Sequence, residues 1–304
     1  MRHFIAPACL AAGALVLGLT GATHAATRPP DRVPPTEPTV SGDRRTESLR
    51  PVFRLDATDR GTPRSRLRFR CAFDRAPLRP CARTHRPATA LVFGRHVLRV
   101  QALDPAGNRS ITVGYSFTVV GSWDAARDFE RAPRQANPGR DRYGNTTWSY
   151  LSSTTPAHDP GGYRPLQFFA VLGQNWEVWR SEDTDFSGSS TGYNNGSIIM
   201  HPGHFNLGQN AVLGWRSPVA AAMRLLAQIS TNPPGLCGVS ANGVRWSIDQ
   251  GSETLQSGAL GPGENEHVEM IVPVVVGETL YVVVNDAGDS NCDSTFVELT
   301  IETR

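Results

Sequence analysis

From residue 39 onward, apolar and polar residues alternate with a period of two over many short stretches, and no long stretch carries a helical period. Arg66-Leu67-Arg68-Phe69-Arg70-Cys71-Ala72-Phe73 alternates strictly. As a strand it turns Leu67, Phe69, Cys71 and Phe73 inward and Arg66, Arg68 and Arg70 outward. Strands are also predicted over 52–55, 96–102 and 113–119. Between the last two, Asp104-Pro105-Ala106-Gly107-Asn108 supplies the fixed φ of Pro and the free φ of Gly that a hairpin connection needs. Further strands are predicted over 145–150, 165–172 and 176–179. Five inward rows follow: Val219, Ala221, Met223, Leu225, Ala227 and Ile229; Val244, Trp246 and Ile248; Val268, Met270, Val272, Val274 and Val276; Leu280, Val282 and Val284; Val297, Leu299 and Ile301. Pro273 lacks an N–H and sends its strand to a sheet edge. A short helix is expected over 124–131, ended by Pro133. Many short strands with turn residues between them predict an all-β chain of sandwiches.

The first 25 residues break this pattern. Met1-Arg2-His3 is basic, Leu10 to Leu19 is apolar, and Thr23-His24-Ala25 fits a small-x-Ala cleavage site. Residues 1–25 are therefore expected to be a cleaved signal peptide and the protein to be extracellular. This run is too short for a transmembrane segment, and no longer apolar run follows it. Residues 26–38 are Pro-rich and predict an extended spacer.

Composition adds a division. With 39% apolar and 19% charged residues, the 304-residue chain can bury cores and does not resemble a disordered one. All 30 Lys and Arg positions are Arg. Residues 26–120 hold 18 Arg against 8 acids, whereas 121–304 hold 11 Arg against 20 acids. A boundary near Gly121 follows: a basic domain over 39–120, a connector over 121–144 and an acidic domain over 145–304. Setting aside Cys9 in the leader, the even set Cys71, Cys81, Cys237 and Cys292 suggests two disulfides. Of the three connectivities, Cys71–Cys81 with Cys237–Cys292 keeps each bridge within one domain. No C-x-x-C pair favours a metal site instead.

Specific runs carry two resemblances. Phe69-Arg70-Cys71-Ala72-Phe73-Asp74, Pro77, Pro80-Cys81 and Gly94-Arg95-His96-Val97-Leu98-Arg99-Val100-Gln101-Ala102-Leu103-Asp104-Pro105-Ala106-Gly107-Asn108 resemble the bacterial Ig-like repeat of actinobacterial secreted proteins, over about 38–120. The resemblance implies an Ig-like sandwich serving as a spacer or adhesion module, and no chemistry. Trp148-Ser149-Tyr150, Ile199-Met200-His201-Pro202-Gly203, Gly214-Trp215-Arg216-Ser217-Pro218-Val219-Ala220, Gly277-Glu278-Thr279-Leu280-Tyr281 and Asp293-Ser294-Thr295 are similar to a jelly-roll module of secreted environmental-bacterial proteins, over about 140–303. That module is akin to galactose-binding-like and carbohydrate-binding domains, which implies a larger jelly-roll sandwich.

The candidate chemistry is binding. Trp148, Tyr150, Tyr163, Trp176, Trp179 and Tyr193 are aromatic rings on which sugar C–H faces stack; Asn194, Asn195, Glu182, Asp183 and Asp185 offer partners for hydroxyls. Asp286, Asp289, Asn291 and Asp293 are closely spaced oxygen ligands suited to a structural calcium. Arg64, Arg66, Arg68 and Arg70 form a basic stripe able to meet an anionic polymer. His201 and His204 lack a third ligand for zinc. No G-x-S-x-G elbow, phosphate loop or singled-out carboxylate pair points to catalysis. The expectation is a secreted, non-catalytic protein that recognises a glycan or cell-surface component through its C-terminal module. A purely adhesive role and polyanion binding by the first module are the alternatives.

Overall fold

The computed structural model of the chain describes residues 30–131, 135–153, 155, 157–181, 188–203, 209–233, 242–288 and 290–304. The chain is all-β, with one short α-helix and two 3-10 turns among the described residues. The leader, Cys237, Asp289, Glu182, Asp183, Asp185 and His204 lie outside the described residues.

The first sandwich packs a three-stranded sheet against a five-stranded one. The small sheet runs Thr39–Ser41, Phe53–Asp56, Thr84–His85; the larger runs Arg45–Thr46, Val113–Val119, Gly94–Leu103, Arg68–Phe73, Arg79–Cys81. Their inner rows, led by Phe53, Leu55, Phe69, Leu98, Val100, Phe117 and Val119, form one core. The Cys71–Cys81 disulfide joins neighbouring strands, with Cα atoms 5.7 Å apart. The Asp104 carboxylate accepts both the backbone N–H and the side-chain amide of Asn108 at 2.8 and 2.7 Å. Gly107 takes φ +93°, which explains the D-P-A-G-N order. The same Asn108 amide donates to the Asp31 carbonyl at 3.0 Å. With Pro35 and Pro38 buried, the segment expected as a free spacer lies against this sandwich instead.

The second sandwich is larger. One sheet runs Gly139–Arg140, Thr146–Ser152, Ala211–Arg216, Thr279–Asn285, Val244–Gln250, Glu253–Leu260, with Arg164–Pro165 beside Thr146–Ser152. The other runs Phe168–Gly173, Trp176–Arg180, Ser190–Asn194, Ser197–His201, Thr295–Thr303, Ala221–Thr231, Asn265–Val274, with Ser122–Asp124 beside Thr295–Thr303. The predicted inward rows meet in one core. Asn265–Val274 is an edge strand, as Pro273 requires. Val276 is the exception: it lies exposed in the turn after that strand. Ser190–Asn194 and Glu253–Leu260 are strands that the pattern does not predict.

Residues 121–144 do more than connect. Ser122–Asp124 pairs with the Thr295–Thr303 strand, and Trp123 is fully buried in the second core. The helix Ala125–Phe129 starts where the Asp124 carboxylate accepts the Arg127 N–H at 2.9 Å. A buried indole N–H is stabilised by an acceptor. Trp123 Nε1 donates to Asp141 at 2.7 Å, and Trp148 Nε1 donates to Asp128 at 3.0 Å. Phe93, from the first sandwich, packs edge-on against Trp123 and Tyr143 at 5.3 and 5.0 Å. Arg142 pairs with Glu47 across the joint, and Arg45 donates to the Thr303 carbonyl at 3.4 Å. That ion pair takes its acid from the basic half and its base from the acidic half, against the sense of the overall charge asymmetry.

Two measurements test these contacts. Small-angle scattering should show no extension of the full chain between low and high salt, whereas Phe93→Ala should lengthen it at either. Burial pushes the Asp128 carboxyl from 3.8 up to about 6; the Trp148 hydrogen bond opposes the rise and nearby Asp141 adds to it. Between those two values the folded chain holds a proton that the unfolded chain has released. Stability therefore falls as pH rises through that window and stays lowered above it, by on the order of 3 kcal/mol. Asp128→Asn keeps an acceptor for Trp148 and removes the charge. It should flatten this segment of the stability–pH curve, measured by urea unfolding from pH 4 to pH 7.

Candidate functional site

The six candidate rings do not form one cluster. Trp148, Tyr150, Trp179 and Tyr193 sit in the second core and offer no face to a ligand. Trp148 is spent on Asp128, and Tyr193 stacks on Phe129 at 6.1 Å. Tyr163 lies on the outer face of the sheet containing Ala211–Arg216, edge-on to Tyr281 at 5.2 Å. Trp176 differs from all of them: it is 39% exposed, and no other aromatic side chain belongs to the large exposed hydrophobics of the described residues.

Strand parity explains the division between the two neighbouring tryptophans. Trp176 and Trp179 are three residues apart on Trp176–Arg180, so they point to opposite sides of the sheet. Trp179 packs inward against Phe169 at 5.2 Å. Trp176 stands outward beside Val178, and Asn194 is its cross-strand partner. Val178 pairs with Gly192, and Gly192 with Ile199. Trp176, Val178, Ser190, Ile199, His201 and Ser294 line a trough of about 210 Å³. Its floor is aliphatic, one wall is the indole, and hydroxyls and an imidazole form the rim. His201 Nδ1 donates to the Pro202 carbonyl at 2.6 Å, which orients the ring.

Gly192 keeps the trough open. A Cβ there would lie 2.1 Å from the Glu177 carbonyl oxygen and 2.6 Å from the Val178 Cα. Both contacts are backbone, so no rotamer change relieves them.

The outer face of the other sheet holds a second concave site, which the sequence reading does not anticipate. The segment from His158 to Leu166 crosses that face and covers part of it. His158 Nδ1 lies 2.9 Å from the Asp249 carboxylate and 3.1 Å from Ser247 Oγ; Ser247 Oγ donates to the same Asp249 oxygen at 3.1 Å. Asp249 is fully buried, although it occupies an outward position of Val244–Gln250. Desolvation pushes the Tyr163 hydroxyl well above its ordinary range, and the charge of Asp249 adds to the rise. His158, Arg245, Ser247, Thr254, Ser257 and Asn285 line a pocket of about 410 Å³ here.

The remaining candidates are dispersed. Arg64 and Arg66 belong to a 3-10 turn, Arg64–Arg66, and only Arg68 and Arg70 lie on the following strand, Arg68–Phe73. The predicted four-residue stripe on one strand face is therefore broken, because the chain turns before Leu67. Arg64 pairs with Asp56 at 3.4 Å, and Arg70 donates to the Leu78 carbonyl at 2.8 Å. Arg66 lines an open cavity of about 940 Å³ with Arg32 and Arg60.

In the acidic loop, the Asp286 carboxylate accepts the Gly288 N–H at 3.0 Å, and Asp293 is buried before the last strand. Asn291 is exposed. Among the described residues, Asp286 and Asp293 belong to no group of three His, Cys, Asp or Glu ligands; the one such group is Cys71, Cys81 and His85, whose two cysteines bond each other. Cys292 is disulfide-bonded, and its expected partner Cys237 lies outside the described residues. No helix of the described residues is long and apolar enough to cross a membrane.

Solved structures similar to this chain are carbohydrate-binding modules. One is described as a carbohydrate-binding module from the β-sandwich superfamily: 11% identical, covering 89% of this chain and 97% of its own, with a TM-score of 0.31. Another holds the CBM51-2 domain in complex with GlcNAc and INT domains from Clostridium perfringens ZmpB: 11% identical, covering 88% of this chain and 48% of its own, with a TM-score of 0.31. A variant of a family 29 carbohydrate-binding module is 14% identical, covering 52% of this chain and 91% of its own, with a TM-score of 0.26. Scores this low do not define a shared fold. No family model matches the sequence, and no curated protein matches it.

Gly192→Ala should destabilise the second sandwich by about 1–3 kcal/mol, the usual range for an overpacked site. Chemical denaturation of the full chain measures it. Wild-type stability in the variant would mean that the two strands part easily at this point.

Proposed function

We propose that this protein is a secreted, non-catalytic binder of glycans, and that the trough beside Trp176 is where its second sandwich takes a sugar. The observation that carries the reading is the outward Trp176 indole standing over an aliphatic floor with a hydroxyl and imidazole rim. A pyranose has the matching surface: C–H groups on one face for the ring, and hydroxyls at the edge for Ser190, His201 and Ser294. A leader-like segment over 1–25 and a disulfide support an extracellular setting.

Two features support a non-catalytic role. Among the described residues, the trough lining includes no carboxylate pair of the kind that glycoside hydrolysis uses. On the other face, Ser247 Oγ and Asp249 meet the same nitrogen of His158. A nucleophile–base–acid relay needs the serine on one ring nitrogen and the acid on the other.

Paired tryptophan variants test the reading on a glycan array with the full chain. Trp176→Ala should abolish retention on whichever neutral glycan the wild type holds while leaving the unfolding midpoint close to wild type. Trp179→Ala should lower stability by about 3–5 kcal/mol, as core truncations do. Undiminished glycan retention by Trp176→Ala would remove the trough from the binding site.

A further inference from the structure

The pocket under His158 is built around a buried acid whose hydrogen bonding is incomplete. On an outward position of Val244–Gln250, a side chain normally meets water. Asp249 instead is fully buried, and its second carboxylate oxygen has no hydrogen-bond partner among the described residues. The buried Tyr163 hydroxyl above this face has none either. Burying an acid with an unmatched oxygen is destabilising. What Asp249 does accomplish is to fix a histidine: with Ser247 it holds His158 Nδ1, which leaves Nε2 as the ring's remaining polar atom. The His158 side chain is 34% exposed and lines the pocket.

Arg245 stands two residues before Ser247 on the same strand and therefore on the same face. It is exposed and has no acidic partner among the described residues, in a half of the chain where acids outnumber arginines. Its planar fork matches a carboxylate. Around these two groups the lining is neutral and polar: exposed Thr254 and Ser257, and Asn285, whose amide is held by Asn210 at 2.9 Å. Part of the lining is apolar, from Val283.

We propose that this pocket is a second ligand site, on the opposite face of the sandwich from Trp176, and that it takes an acidic sugar: a hexose-sized ring bearing one carboxylate. Arg245 pairs with the carboxylate, His158 Nε2 and the Asn285 amide meet ring hydroxyls or the second carboxylate oxygen, and Thr254 and Ser257 meet the remaining hydroxyls. A bare inorganic anion suits the lining less well, since one guanidinium stands among several hydroxyl and amide groups. At about 410 Å³ the pocket falls within the usual range for small-molecule sites. Asp249 is a positioning residue: it acts through His158 and does not touch the ligand.

Isothermal titration of the full chain with D-glucuronate, D-glucose and sodium sulfate tests the proposal. Glucuronate should bind saturably and at least tenfold more tightly than glucose or sulfate. Arg245→Gln should remove that preference with an unchanged unfolding midpoint, and Trp176→Ala should leave it intact, which separates this site from the trough. His158→Gln should weaken glucuronate binding several-fold. In NMR spectra of the wild type, glucuronate should shift the His158 ring resonances, a response that a purely structural histidine would not give. Equal affinity for glucuronate and glucose, or glucuronate binding that survives Arg245→Gln, overturns the proposal. Sulfate binding as tightly as glucuronate overturns the sugar assignment.

Discussion

The second sandwich depends on two indole–carboxylate hydrogen bonds at its entrance. Trp123 and Trp148 are fully enclosed, and an enclosed indole N–H left without an acceptor is costly. Both acceptors come from one short stretch. Asp128 lies on the helix Ala125–Phe129, and Asp141 follows the strand Gly139–Arg140. Asp141 also gathers the N–H groups of Tyr143 and Asn145 at 2.9 and 2.8 Å, and the Tyr143 hydroxyl accepts the Ser122 N–H at 3.0 Å. The helix, the turn and the first strands of both sheets are thereby fixed to each other. Phe93 then has a rigid aromatic surface to dock on, which seats the first sandwich.

From that frame the two outer faces of the second sandwich are presented as opposites. One carries an indole over an aliphatic floor, opened by a glycine that two strands cannot do without. The other carries a guanidinium, an imidazole braced by a buried acid, and a ring of small polar groups. Both rest on strands whose inward residues belong to the same core, so each site inherits its rigidity from packing it does not share with the ligand.

Period-two alternation made most inward rows legible, because a strand buried on one face writes that face into its sequence. Val244, Trp246, Ile248 and Val297, Leu299, Ile301 are examples. The same rule separates Trp176 from Trp179 by their odd spacing, a signal present in the chain before any coordinates. Other features had no local signature. Ser247 and Asp249 occupy polar positions of an alternating strand and read as solvated; a segment almost 90 residues earlier buries them. Ser190–Asn194 is Ser-, Gly- and Asn-rich, so its strand identity comes from neighbours on both sides and not from propensity. Residues 121–144 looked like a linker because Gly, Pro and charges dominate them, yet their few large apolar residues are core.

The pairing of Ser122–Asp124 with Thr295–Thr303 has a kinetic side. Gly121 N–H meets the Thr303 hydroxyl at 2.9 Å across a sequence separation of 182 residues. A chain delivered amino end first gives Trp123 no strand to lie beside until that entire length has emerged. The first sandwich closes on contacts made within residues 31–119 and has no such wait. Folding of the two halves is thus staggered in time, the slower half being the one with the larger loop to close. Throughout that interval, the indole that later anchors the joint has no second-sandwich core to enter.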